Sequence, residues 1–351
     1  MFYDPSVMHI YVLLTCILRK ESMPKRKDEI KILFVYSALG SFVRRDLEIL
    51  EKCFHVKKMK VIMSPLTVLR LLKGILWADV VYAWFIKLNT FFTVLFCMVL
   101  RKKCIIVAGG YDVAYVPEIN YGALFSPWRR IMAKFVLEHA SKVLAVSGSN
   151  RNQIMRLARP KRLKLVYNGV DVGKFKPSGE KENLVITVGT VSDSTIKVKR
   201  LDTFVKAAAY LPDVRFILIG KYDGSIERLK KIAGSNVTFT GYISDESLLL
   251  HYYQKAKVYC QLSAHESFGV ALAEAMSCCC VPVVTRRYAL PEVVGDAGFY
   301  VPYNDPKATA EAIRKALKSD KGMKARERIK KYFSIKIRER MIINEILNLF
   351  A

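Results

Sequence analysis

Residues 258–276 read VYCQLSAHESFGVALAEAM. The first six residues are an apolar, β-rich run, 263–267 are mostly small or polar, and from 268 onward the apolar residues take helical spacing. A strand that ends in a short loop and passes straight into a helix is half of a βαβ unit. Ser267 reads as the N-cap of that helix, and Gly269 as a place where another group can approach the backbone. Free N–H groups and the helix dipole at such a terminus favour phosphate. Glu266 falls in the loop and Glu274 about two turns into the helix. Carboxylates accept well from sugar hydroxyls, although two glutamates at this spacing also arise as plain surface charge.

The same alternation extends in both directions. Apolar runs at 31–37, 79–85, 104–109, 142–147 and 163–167 precede a polar stretch, Lys174–Asn183. Further runs follow at 184–189, 214–219, 237–240, 258–263 and 281–285. Helical segments among the later runs include 199–211, 244–256, 268–278, 307–317 and 322–331. The runs are continuous rather than alternating, which suits strands buried on both faces of parallel sheets. The expectation is an α/β chain of two doubly wound Rossmann-like domains facing one cleft, with ligands outside the carboxyl ends of the strands. The division is 1–29 as an extension, 30–172 as a first domain and 173–183 as a linker. Residues 184–330 form a second domain, and 331–351 a C-terminal helix that packs back on the first.

The apolar run at 8–18 is too short for the roughly 20 residues of a membrane span, and its basic residues follow rather than precede it. Residues 1–22 read as a loose extension or a start assigned too early, with Met23 opening the natural-looking segment. Helix 89–102 is apolar almost all round and reads as buried. The alternative is a helix lying on a membrane surface, helped by Arg101, Lys102 and Lys103.

The 351 residues carry 57 Lys and Arg against 31 Asp and Glu, a net +26. Residues 1–175 hold 29 basic against 12 acidic residues, so +17 of the excess lies in the first half. Such a balance favours anionic partners: nucleic acid, an anionic membrane face or phosphorylated small molecules. The eight cysteines, Cys16, Cys53, Cys97, Cys104, Cys260, Cys278, Cys279 and Cys280, include no CxxC pair and read as free thiols in a reducing cytosol. No His, Cys or Asp set has metal-ligand spacing, so no metal is expected. GxxxxGK[ST] is absent, and no GxGxxG follows a strand, which argues against a P-loop NTPase and a dinucleotide enzyme. Asp112, in Gly109-Gly110-Tyr111-Asp112 at a strand end, either points into the cleft or caps a turn.

The Glu266-to-Glu274 segment resembles the E-x7-E motif of the family 4 glycosyltransferases, retaining enzymes of GT-B architecture. Tyr167-Asn168-Gly169-Val170-Asp171 resembles the family's NGVD turn. Val188-Gly189-Thr190-Val191 with Lys197-Val198-Lys199-Arg200-Leu201-Asp202 resembles the opening of its donor domain, and Leu290-Pro291-Glu292-Val293-Val294-Gly295-Asp296 its PEVV-G stretch. Gly40 falls where the family has a glycine-rich first loop. The resemblance runs from about residue 30 to 350. It implies that Glu274 holds the ribose of a nucleotide-sugar and Glu266 lies against the transferred sugar. The Ser267, Phe268, Gly269 and Val270 segment would meet sugar and pyrophosphate, and Lys199 would neutralise the departing diphosphate. Gly40 would admit phosphates or sugar, the backbone near Ile243 would meet the base, and Asp112 would handle the acceptor hydroxyl. Thr190 stands where the family usually has an arginine, with Lys197 or Arg200 as substitutes. Cys279 and Tyr288 stand where glycine is common.

The implied function is retaining transfer of a hexose from a nucleotide diphosphate sugar to a saccharide or lipid-linked acceptor. No cofactor is expected, the nucleotide-sugar being a substrate. A cytoplasmic location is expected, with peripheral contact to the cytoplasmic membrane face. The rival readings are a sugar-nucleotide epimerase of the same architecture and a basic nucleic-acid-binding protein. The second lacks a recognisable motif, and its aromatics lie in apolar runs rather than among basic clusters.

Overall fold

The computed structural model describes residues 27–61 and 65–350. The apolar run at 8–18 and the extension over 1–22 lie outside the described residues.

The apolar runs form two six-stranded, wholly parallel sheets. The first holds β1 (Lys31–Tyr36), β2 (His55–Lys60), β3 (Val80–Trp84), β4 (Lys103–Ala108), β5 (Lys142–Ala145) and β6 (Leu163–Leu165), in the order β2-β1-β3-β4-β5-β6. Its helices are α1 (Ser41–Cys53), α2 (Pro65–Trp77), α3 (Leu88–Val99), α4 (Pro127–His139) and α5 (Gly148–Leu157). Strand β3 is buried at every residue, as a strand covered by helices on both faces must be. Strand β2, HVKKMK, carries three lysines on the sheet edge, where charge discourages further pairing. Its polarity hid it from a reading that sought apolar runs.

The second sheet holds β7 (Glu182–Val188), β8 (Arg215–Ile219), β9 (Val237–Gly241), β10 (Ala256–Gln261), β11 (Val281–Thr285) and β12 (Phe299–Val301), in the order β12-β11-β10-β7-β8-β9. Strand β12, only three residues long, was also missed. The expected helix 199–211 is α7 (Leu201–Ala208), and a helix that was not expected, α6 (Asp193–Lys199), precedes it, the two separated by Arg200 at φ 52°. The remaining helices are α8 (Ile226–Lys230), α9 (Glu246–Lys255), α10 (Val270–Ser277), α11 (Leu290–Val294), α12 (Pro306–Leu317), α13 (Lys321–Tyr332) and α14 (Ile335–Leu347).

Helix α14 lies on the first sheet, where Ile342 and Ile346 are fully buried in one cluster with Ile32, Phe34 and Val43. Burying each isoleucine contributes about 1.5–3 kcal/mol. A buried ion pair, Lys142 to Glu345 at 2.7 Å, anchors the same helix.

In each sheet the chain order reverses once, between β1 and β3 and between β7 and β10. At such a point adjacent loops diverge and leave a crevice at the carboxyl ends of the strands. The fold therefore offers two crevices, one per domain.

Candidate active site

The loop that joins β10 to α10 opens on the second crevice. Its backbone is held at several points. Ala264 N–H donates to Val198 O at 2.7 Å and Ala289 N–H to Glu266 O at 3.2 Å, while the Thr285 hydroxyl donates to Ser263 O at 2.8 Å. The first of these bonds brings α6 beside the loop, so that Lys199 Nζ lies 3.8 Å from Glu266 Oε2. Gln261 Nε2 donates to the same oxygen at 3.1 Å, and Tyr259 orients Gln261 in turn. Both Lys199 and Glu266 keep part of their surface open to the crevice. A Cβ at Gly189, the end of β7, would lie 2.7 Å from Lys199 Cδ, so glycine there leaves the lysine its path.

Glu274, on α10, is buried, and Arg45 of α1 donates to it across the domain boundary. Arg45 also donates to Gly169 O at 3.1 Å, and the Tyr253 hydroxyl approaches the other Glu274 oxygen at 3.4 Å. Burial pushes the Glu274 carboxyl up and Arg45 opposes it. Arg45 was not singled out from sequence. Its partner lies 229 residues away, and no local pattern marks it.

Further contacts hold the domains together. Glu292 of α11 accepts from Gly148 N–H at 2.8 Å and from the Tyr167 hydroxyl, which places a carboxylate on the N-terminus of α5. Arg287 pairs with Glu118. Tyr121 packs against His265 with ring centres 5.4 Å apart and the rings tilted by 45°. A Cβ at Gly110, where φ is +132°, would fall 1.6 Å from Ser267 Oγ, so only glycine permits this approach of the two domains.

The first crevice is a cavity of about 680 Å³ whose lining includes Ser37, Phe85, Lys87, Asp112, Trp128 and Arg129. Asp112 is buried in its wall and accepts from Ile86 N–H at 2.9 Å, Gly110 N–H at 2.6 Å and Gly109 N–H at 3.2 Å. Burial raises its pKa and these bonds oppose the rise. With both oxygens on backbone N–H groups, Asp112 acts first as the clasp that shapes the pocket. That is the turn-capping alternative of the sequence reading.

Other expected site residues fall as follows. Ser267 does not cap α10; the N-cap is Gly269, at φ +89°, and the amides of the following turn, from Val270, face the crevice end. Phe268 is buried among Tyr167 and Phe333, which leaves only its backbone open to a ligand. Arg200 is not a substitute phosphate cation, because its guanidinium is held by Asp202, Asn304 and the face of Tyr303. Lys197 is exposed, as is Thr190 at the end of β7. Gly40 precedes α1 with only Phe42 near an added Cβ, at 3.7 Å, so its space is open. Ile243 is half-buried after β9. Cys279 and Tyr288 have φ of 65° and 49°, the left-handed backbone that glycine adopts without strain. Among the described residues no group of three or more His, Cys, Asp and Glu could hold a metal ion.

His265 contacts Gln153 at 3.2 Å and packs at a tilt against the Tyr288 ring, centres 4.4 Å apart. Burial, then the neighbouring Arg287, push its imidazole down to about 4, against a smaller pull from Glu118. The folded protein therefore refuses a proton that the unfolded chain takes up near pH 6.5. The stability that results is present above pH 6.5 and is lost as pH falls toward 4. Wild type is expected to lose on the order of 2 kcal/mol more than His265→Gln between pH 6.5 and 4.5 in denaturant titrations. Equal losses would remove His265 as the cause.

Residues 173–334 match the family model described as Glycosyl transferases group 1. The chain is 28% identical over 218 residues to a D-inositol 3-phosphate glycosyltransferase of Mycolicibacterium gilvum, covering 55% of this chain and 48% of that protein. It is 27% identical over 179 residues to a GDP-mannose:cellobiosyl-diphosphopolyprenol alpha-mannosyltransferase of Xanthomonas campestris, covering 49% and 47%. It thus spans about half the length of these curated relatives in the matched regions. Sucrose-phosphate synthase from Thermosynechococcus elongatus superposes with a TM-score of 0.77 at 18% identity, over 92% of this chain and all of that one.

Proposed function

We propose that the protein is a retaining hexosyltransferase, a reading supported by the match of residues 173–334 to the group 1 glycosyl transferase model and by the likeness of fold over 92% of the chain. In this reading a nucleotide diphosphate sugar is the donor and a saccharide or lipid-linked molecule the acceptor. The observation that carries it is Lys199 placed 3.8 Å from Glu266, beside the N-terminus of α10 and at the strand-order reversal of the second sheet. The donor's diphosphate fits there. Negative charge builds on the β-phosphate as the sugar leaves, and Lys199 and the α10 amides stabilise it at fixed positions.

On a front-face path the bond from the sugar C1 to the β-phosphate oxygen breaks and the acceptor oxygen bonds C1 from the same side. The acceptor proton passes to a phosphate oxygen. Glu266 then orients the sugar and stabilises its positive charge without forming a covalent bond. Glu274 accepts from the ribose, and Arg45 opposes the rise in pKa that burial imposes on it. Lys199 and the amides supply the positive charge the step needs, so the proposal calls on no metal. The acceptor enters by the first-domain cavity beside Asp112, and the basic first half suits an acceptor presented at the cytoplasmic membrane face. The Xanthomonas relative, whose name places its acceptor on a diphosphopolyprenol, supports a lipid-linked class. Nucleic acid has no part in it.

The test is thermal-shift titration with UDP, GDP, ADP and their glucose, mannose and N-acetylglucosamine conjugates, on wild type and Glu274→Ala. A rise in Tm of several degrees for one base, lost in the variant, is expected. A flat response to every nucleotide would overturn the donor assignment. Nucleotide-sugar binding without any acceptor-dependent transfer would redirect the reading to an epimerase.

A further inference from the structure

Helices α2, α3 and α4 form one layer over the first sheet, with α3 packed between the other two. Their inner faces fill the core through Leu71, Ile75, Val94, Cys97, Met132 and Val136. Their outer faces are unusual. On α2 the exposed positions are Leu66, Leu69, Arg70, Lys73 and Leu76, a single stripe at helical spacing. Met98 and Val99 continue the surface on α3, and Trp128 and Ile131 on α4; Val99 and Ile131 are each 73% exposed. Scattered exposed apolar side chains are ordinary, but three leucines more than half exposed on one helix, continued by Val99, Trp128 and Ile131 on the two beside it, mark a contact surface. The second domain differs, since four of its seven large exposed apolar side chains are tyrosines with a hydroxyl for water.

The charge on this layer is almost all positive. Helix α2 carries Arg70 and Lys73 and no acid, α3 carries no charge, and α4 sets Arg129, Arg130 and Lys134 against Glu138 alone. Two of the cations that sequence placed beside α3 do not contribute. Lys102 donates to Leu76 O and Ala78 O at the end of α2, and Lys103 is drawn to Leu349 O and the Phe350 ring.

We propose that the outer face of the α2–α3–α4 layer docks on an anionic lipid bilayer. Apolar side chains interleaved with lysine and arginine, with Glu138 the one acid on the three helices, match the boundary between acyl chains and anionic headgroups. A second copy of the chain fits worse, because face-to-face pairing would bring two faces of the same, almost wholly positive, charge together. The N-terminal ends of α3 and α4 supply Leu88, Trp128 and Arg129 to the rim of the first-domain cavity. A lipid-linked acceptor held in the bilayer would therefore meet the cavity at its mouth. Docking stands on the surface alone, whereas delivery of the acceptor rests on the transferase reading.

Co-sedimentation of the full chain with phosphatidylglycerol–phosphatidylcholine vesicles and with pure phosphatidylcholine vesicles tests this. At least tenfold stronger partition into the anionic vesicles is expected, weakened by 0.5 M salt. Leu69→Glu and the pair Arg70→Glu with Lys73→Glu should each reduce it about tenfold. These exposed positions should leave the nucleotide thermal shift unchanged, which separates failure of docking from failure of the donor reading. Equal partition into both vesicles, no partition, or variants that bind as wild type would overturn the proposal. So would a dimer in light scattering that Leu69→Glu dissociates.

Discussion

Replacing Lys199 by methionine is expected to lower kcat for glycosyl transfer about 10²–10³-fold, with a much smaller change in donor KM. Methionine keeps the reach of the side chain along Gly189 and removes only the charge. The ammonium lies 3.8 Å from Glu266 and is partly open to the crevice, so its loss leaves the fold unstrained. What it removes is a fixed positive charge at the place where the leaving phosphate gains its negative charge. A surface ion pair of this length is worth little to stability, so Tm should stay within about a degree. Glu266→Gln should also lower kcat, and the double variant should lose less than the product of the two losses, because the pair acts as a unit. Steady-state kinetics with the donor found by thermal shift settle the matter. A kcat for Lys199→Met within threefold of wild type would end the assigned role.

The largest expected effect on stability comes from Asp46→Ala. Asp46 of α1 is fully buried and takes Arg338 Nε at 2.6 Å and Nη2 at 2.7 Å, the Tyr82 hydroxyl at 2.7 Å and the Trp84 indole N–H at 2.9 Å. Arg338 of α14 completes its donors on Val166 O and Tyr167 O. Truncating the aspartate strands a guanidinium, a hydroxyl and an indole in a dry interior, at a cost of about 3–5 kcal/mol. A fall in Tm on the order of 10 °C should follow. The double change Asp46→Leu with Arg338→Met removes both charges and should recover part of the loss. A single Asp46→Ala costing less than about 1 kcal/mol in denaturant titration would mean that water reaches the site.

The architecture was legible because parallel α/β sheets are encoded locally. Strands buried on both faces must be continuously apolar, as Val80–Trp84 is, and loops at the carboxyl ends must carry the small and polar residues seen at Ser263–Gly269. Glu266 and Lys199 were singled out separately, by the resemblance of the motifs around them, and their pairing belongs to the structure, where the loops after β7 and β10 meet at the reversal of strand order. Even the odd residues Cys279 and Tyr288 proved informative. Each occupies left-handed backbone, so the expectation of glycine there had a conformational cause.

Only the tertiary structure decided which charges meet. Arg45 and Glu274 are 229 residues apart, Glu292 and Gly148 144, and Arg338 and Asp46 292. Among 57 basic residues nothing local selects Arg45 as the partner of Glu274, or removes Arg200 from the site by turning it onto Asn304 and Tyr303. Asp112 likewise shows as a clasp only once three backbone N–H groups converge on it. Periodicity and turn chemistry act over a few residues and can be read along the chain. Side-chain partners are chosen by packing between elements distant in sequence, and that choice exists only after the two domains have closed on each other.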